Sequence, residues 1–168
     1  LNLDGIECSG GEFSREVDVG GDDGAKELTI NFVDSDGASA TPQVINFTKD
    51  TAPPILKENS FKLNDQVDLS RTNNNHIKIS LEGSDNSKIT HYCLKNLESD
   101  PSNDSDCFKE IALDQISGEK KSQKLNFHYR LGLASTTYTI YAWLKDEAGN
   151  ISTQSETDQK DKQVISYY

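Results

Sequence analysis

Short runs of alternating apolar and polar residues, closed off by turn residues, limit the fold of this chain more than any other feature. In HIKISLEGS, residues 76–84, the apolar positions Ile77, Ile79 and Leu81 fall on one face. An alternation of period two is the pattern of a half-buried strand. Further runs of this kind are GIECS, FSREVDV, ELTINFV and PQVINFT in the first third. SFKLN, VDLS, KITHYCLKN, CFKEIAL, KLNFHYRL, TYTIYAWLKD and KQVISYY follow in the rest. Asn, Asp, Ser, Thr and Gly interrupt every helical stripe. The expected fold is therefore all-β, an antiparallel sandwich. In TYTIYAWLKD, Tyr138, Ile140, Ala142 and Leu144 share one face, and Thr139, Tyr141 and Trp143 share the other. Large side chains on both faces predict a central strand. In KITHYCLKN the alternation predicts Ile89, His91, Cys93 and Lys95 on one side, and Thr90, Tyr92 and Leu94 on the other.

KDTAPPI, residues 49–55, divides the chain. The adjacent Pro53 and Pro54 do not fit a central strand, and they stiffen an extended connector. The predicted organisation is residues 1–50, then a linker at about 49–55 and a complete sandwich over 51–168. Two turns fit this division. WLKDEAGNIS, residues 143–152, leads an apolar strand into a polar turn. Within it Asp146 can bond its own downstream backbone, and Gly149 and Asn150 tolerate positive φ. NFVDSDGASA, residues 31–40, is a weaker echo, with Asp34 standing 112 positions before Asp146. That interval is one small β-domain, so residues 1–50 read as the C-terminal part of a preceding one. The missing strands are expected upstream of residue 1, with donation by another chain or packing on the second domain as the alternatives. The lack of any methionine, even at position 1, is read the same way, as the mark of a fragment or processed chain.

The net charge of −11 speaks against nucleic acid and anionic membrane partners. No run of 18 apolar residues occurs, so this stretch inserts no helix into a membrane. Of the cysteines, Cys93 and Cys107 bracket the turn-rich loop LKNLESDPSNDSD. A bridge there would imply an oxidising compartment, and the alternative is two buried thiols. Cys8 is left over, which points to a partner before residue 1.

Catalytic chemistry finds no support. There is no G-x-S-x-G, and His76, His91 and His128 sit in no motif. His91 and Cys93 lie two apart on one strand, but Cys107 nearby favours a bridge over a metal. The chain is expected not to be an enzyme. Calcium is the one cofactor considered: a hard cation takes six to eight oxygens. Asp34 and Asp36 in the first turn, Asp50 in the linker and Asp85 in EGSDNS are the candidate ligands. Turns favour Asp without any ion, and no EF-hand loop is present.

The strand and turn YTIYAWLKDEAGNIS together with the linker DTAPP resemble tandem bacterial immunoglobulin-like repeats. The loop HYCLK…DPSNDSDCF resembles a variant of these repeats with a local Cys pair. The resemblance covers the second domain fully and the first only in its last part. There VDSDGAS departs from the pattern, with Gly37 and Ala38 read as swapped. ECSGGEFSREVDV resembles the middle of such a repeat, where a Cys pairs nearer the domain start, which accounts for Cys8. The resemblance implies an immunoglobulin-like sandwich, a bacterial cell-surface or secreted location, and a role as an adhesive or spacer module in a fibre. Its partners would be neighbouring domains of the same chain or fibre and a host, prey or cell-surface ligand. Any outer-membrane anchor would lie in other segments. The alternatives are a glycan- or protein-binding module, with ligand on loop 96–106, and an accessory domain of a secreted enzyme.

Overall fold

A computed structural model describes residues 16–34, 36–64, 71–96, 101, 104–112, 115–119, 122–153 and 162–168. The fold is all-β and antiparallel in nearly every pairing. The chain divides into two compact units, Leu1–Thr51 and Ala52–Tyr168.

In the first unit, β1 (Gly24–Ile30) pairs with β2 (Gln43–Lys49) as an antiparallel hairpin. Leu28 faces Ile45 and Lys26 faces Phe47, while Glu27 faces Asn46 on the other side. Partners in an antiparallel register share a face, so one face is mainly apolar and the other mainly polar. Val44 and Ile45 are exposed among the described residues. The strands GIECS and most of FSREVDV, with Cys8, fall outside the described residues. The described end of FSREVDV, residues 16–19, forms no strand, because no partner strand lies beside it among the described residues.

The second unit has two sheets. One has the order β3 (Ile55–Leu56), β6 (His76–Ser84), β10 (Ser122–Arg130), β9 (Ile116–Glu119), with β4 (Lys62–Leu63) also on the free edge of β6. The other has the order β5 (Arg71–Thr72), β12 (Lys162–Tyr167), β11 (Thr137–Asp146), β7 (Ile89–Lys95), β8 (Lys109–Glu110). β5 runs parallel to β12. The two sheets enclose one core. Ile77, Ile79 and Leu81 of β6 and Leu125 and Phe127 of β10 meet Ile140, Ala142 and Leu144 of β11 and Ile165 of β12. Tyr92 of β7 stacks on Phe127 of the opposite sheet at 3.8 Å between ring centroids. Each fully buried large side chain contributes about 1.5–3 kcal/mol. Tyr138, at the start of β11, donates its hydroxyl hydrogen back to Ala134 O at 2.9 Å.

β11 is central, between β12 and β7, as its two apolar faces predict. Its second face carries a small separate cluster: Tyr141, Trp143 and Cys93, with Cys107, Phe108 and Ile151 packed against them. Trp143 lies directly opposite Cys93 in the β11–β7 register and is only 2% exposed. The Cys93–Cys107 disulfide forms, with 5.2 Å between Cα atoms. Cys107 ends a short 3-10 turn, Ser105–Cys107, and Lys95 Nζ reaches Asp104 at 2.7 Å. Of CFKEIAL, Lys109 and Glu110 pair with β7, and the Ile111 N–H donates to Thr90 O at 2.8 Å.

Ile89 departs from the alternation. It shares parity with Cys93 yet is buried in the main core, on the opposite face. A β-bulge accounts for this. Lys145 pairs with His91 but Asp146 pairs with Ile89, so Thr90 is an extra residue. A bulge turns the side chains beyond it. Thr90 Oγ1 donates to the backbone at Asp146 O, 2.9 Å away, and the Ile89 N–H, turned out of the ladder, is taken by Gln123 Oε1 at 3.0 Å. Gln123 is an inward polar residue, 4% exposed, satisfied by that bond. The short strands β3, β5 and β9 are further elements that the alternation did not reveal, since two to four residues carry too little pattern. VDLS lies outside the described residues.

Candidate functional site

The two aspartate turns have the same build. In the second unit the Asp146 N–H donates to Asn150 O at 3.1 Å, and Gly149 N donates to Asp146 O at 3.4 Å. In the first, Asp34 N donates to Ala38 O at 2.9 Å, and Gly37 N to Asp34 O at 3.1 Å. One carboxylate oxygen, Oδ1, accepts the downstream N–H in each: Asn150 N at 2.8 Å, Ala38 N at 2.7 Å. The isolated bridges Lys145–Ile151 and Val33–Ser39 close the two turns. Ser152 N to Leu144 O and Ala40 N to Phe32 O, both 2.9 Å, close the next pair. Every partner is matched at the same offset of 112 positions. Gly149 and Gly37 both hold positive φ, +98° and +84°. Glycine therefore occupies the same place in both turns, and the apparent swap of Gly37 and Ala38 is corrected. Only the left-handed backbone position demands glycine. The real substitution is Ala38 for Asn150. Asn150 does not adopt positive φ; its side chain matters instead, donating from Nδ2 to Asp146 Oδ2 at 2.8 Å and to Ala52 O at 3.4 Å.

That last bond ties the turn to the start of the second unit, next to Pro53 and the buried Pro54. Asp146 is 1% exposed, with both carboxylate oxygens hydrogen-bonded. Asp85, just after β6, accepts from Ser87 Oγ at 2.8 Å. Carboxylate oxygens of Asp85 and Asp146 lie within 4.8 Å of one another. Neither makes an ion pair among the described residues. Asp146 was read from the sequence only as a turn residue; its place beside Asp85 follows from β6 and β11 ending at the same end of the sandwich.

The other candidate ligands do not converge as a set. Asp34 and Asp36 lie in one turn, but Asp34 Oδ1 is already committed to the Asp36 and Ala38 N–H groups, at 3.0 and 2.7 Å. Asp50 follows β2 at the other end of the same hairpin, where Lys49 pairs with Gly24. Seven residues of strand at about 3.4 Å each put the two ends roughly 20 Å apart. One ion cannot take Asp34, Asp36 and Asp50 together, and this corrects the four-aspartate set. His91 Nδ1 is 2.9 Å from Thr90 Oγ1, and Cys93 is in the disulfide, so no thiol and imidazole pair exists there.

Ordinary strand ends and turns thus account for most of the polar geometry at this end of the second unit. It holds carboxylates in place. No protein-family model matches the chain, and comparison with curated proteins finds no match.

Proposed function

We propose that the chain is a structural, immunoglobulin-like module of a bacterial cell-surface or secreted multi-repeat protein, serving as a spacer or fibre element. The observation that carries this reading is the pair of turns 112 positions apart, alike in their backbone bonds and in the carboxylate oxygen that caps them. A unit of about that length, used twice in one chain, is the economy of a tandem array. The strand order supports the fold named here. β3-β6-β10-β9 and β12-β11-β7 follow the ABED and GFC orders of immunoglobulin sandwiches. The bond from Tyr138 to Ala134 O has the form of the tyrosine corner seen in many such domains. The disulfide fits an oxidising, extracellular location. The test is labelling of intact cells and of culture medium with antibody against residues 52–168. Epitope reached only after cell lysis would end the proposal. Replacing residues 52–168 in the parent protein by an unrelated sandwich of equal length separates spacer from binder, since a spacer survives the exchange.

A second reading adds calcium. Its support is the Asp85 and Asp146 pair, which brings two carboxylates together without an ion pair. Carboxylates are the ligands a hard cation takes. Calcium titrated to millimolar levels should raise the melting temperature of the chain, and Asp85→Asn should abolish the rise. An unchanged melting temperature removes calcium from consideration.

A further inference from the structure

On a chain of net charge −11, one face is basic. The outward side chains of β6 are His76, Lys78, Ser80 and Glu82. In the β6–β10 register they lie beside Arg130, His128, Asn126 and Lys124 in turn. Lys62 of β4 stands beside Ser80. Successive outward residues along a strand are about 7 Å apart. Each step along this face therefore presents a cation: Lys124, Lys62, Lys78, Arg130. Among the described side chains of this face five are basic, counting Lys57, and Glu58 and Glu82 are acidic. Glu82 is already engaged by Lys57 Nζ at 2.8 Å and Ser122 Oγ at 2.6 Å. Lys62, Lys124 and Arg130 make no ion pair among the described residues.

The face is also concave. Two adjoining depressions of about 330 and 390 Å³ share the Lys57–Glu82 pair, within the size range of small-ligand sites. Besides the Lys57–Glu82 pair and Glu58, the larger is lined by Lys62 and Lys124, by the hydroxyls of Ser80 and Ser117, and by the amide of Asn126; the Ser60 hydroxyl there donates to Lys57 O at 2.6 Å and accepts from Glu82 N at 3.0 Å. Among the described residues no aromatic side chain lines either one. That lining selects among ligands. Without aromatic stacking the groove is poorly suited to a neutral sugar, and single-stranded nucleic acid also loses its main platform. Lysines interleaved with hydroxyl and amide groups match a ligand that alternates charge with hydroxyls.

We propose that this groove, between β4, β6 and β10, binds an acidic oligosaccharide, with Lys62 and Lys124 holding its anionic groups and Ser80, Ser117 and Asn126 its hydroxyls. The site lies on the opposite sheet from the disulfide-fastened loop and does not depend on the spacer reading: a pure spacer would carry no ligand here.

The test is titration of the full chain with tetragalacturonate, cellotetraose and a thymidine oligonucleotide of equal charge, followed by calorimetry and by backbone NMR shifts. Tetragalacturonate should bind at low salt and shift the amides of β4, β6 and β10. It should be released at about 1 M salt, where screening acts over about 3 Å. Cellotetraose should not bind. The surface variant Lys62→Gln/Lys124→Gln should keep its circular dichroism and melting temperature and bind about tenfold more weakly, the sum of two exposed charge pairs. No binding of tetragalacturonate, or undiminished binding by the variant, overturns the proposal. Equal or tighter binding of the oligonucleotide also overturns it, as does lysine-dependent self-association of the free chain in sedimentation, which would assign the face to a second copy.

Discussion

Removing the disulfide isolates what holds the loop over the second face of β11. The variant is Cys93→Ala/Cys107→Ala, with alanine chosen because a serine at the fully buried position 93 would add an unsatisfied hydroxyl. The bridge joins residues 14 apart. Opening a loop of about 15 residues costs about 3 kcal/mol in the chain-entropy model. The exposed pair Lys95–Asp104 and the two-residue strand β8 remain, and an exposed ion pair contributes less than about 1 kcal/mol. A domain of this size loses about 4 °C of melting temperature per kcal/mol, so the expected fall is about 12 °C. The assay is urea unfolding followed by the fluorescence of Trp143, the one tryptophan of the chain. It sits across from Cys93 beneath the fastened segment. The variant should unfold at lower urea, and its emission should already lie to the red if Phe108 lifts away. A loss of stability within about 0.5 kcal/mol, the ordinary range of surface changes, would refute the reasoning. It would mean that packing of Phe108 and Ile151 on Trp143, rather than the covalent link, fixes this segment.

Other expectations follow from single residues. Gln123→Leu removes the acceptor of the Ile89 N–H inside the core and should cost about 1–3 kcal/mol; amide exchange at Ile89 should quicken beyond the global change. Asp146→Ala leaves Asn150 N and Nδ2 without their buried partner and should cost about 1–3 kcal/mol of stability, seen as a clearly lower melting temperature. Asp34→Ala, in an exposed turn of the same build, should cost less, and an equal cost would show that burial is not what gives Asp146 its weight. The Glu82 carboxyl is held below its usual pKa first by the hydrogen bond from Lys57, and that of Asp104 by the one from Lys95. A lowered folded value stabilises above the unfolded pKa and is lost as pH falls through the folded one. Melting temperature should thus be flat from neutral pH to about pH 5 and fall below about pH 4, with a shallower fall in Glu82→Gln.

Much of the second unit was legible because its strands are long enough to show a period. Nine residues of β6 and ten of β11 place their apolar side chains as alternation predicts. The disulfide was legible from two cysteines bracketing a turn-rich loop. Ile89 was not, because a bulge at Thr90 changes face without leaving a mark in the pattern. Gln123 carried a faint mark, a polar residue in phase with Leu125 and Phe127, and that phase was the signal of a buried amide. The aspartates were harder. Asp is common in turns, so type alone does not tell which carboxylates meet. The fold decides it: the length of the β1–β2 hairpin separates Asp34 from Asp50, and β6 and β11, in facing sheets, end together and bring Asp146 beside Asp85. The basic face was hidden by net charge, which averages over a surface that the fold sorts by side.

The cluster around Trp143 has one more consequence. A sheet in a sandwich ordinarily spends one side on the core and leaves the other bare. Here the middle of β11 and β7 is covered on both sides, outward by Cys107, Phe108 and Ile151. The middle of the second unit's back is thus covered, while Val164 on the same side stays exposed. A neighbour or ligand seeking the central strands bare meets them on the β6 and β10 side, so the small outer cluster gives the module a direction.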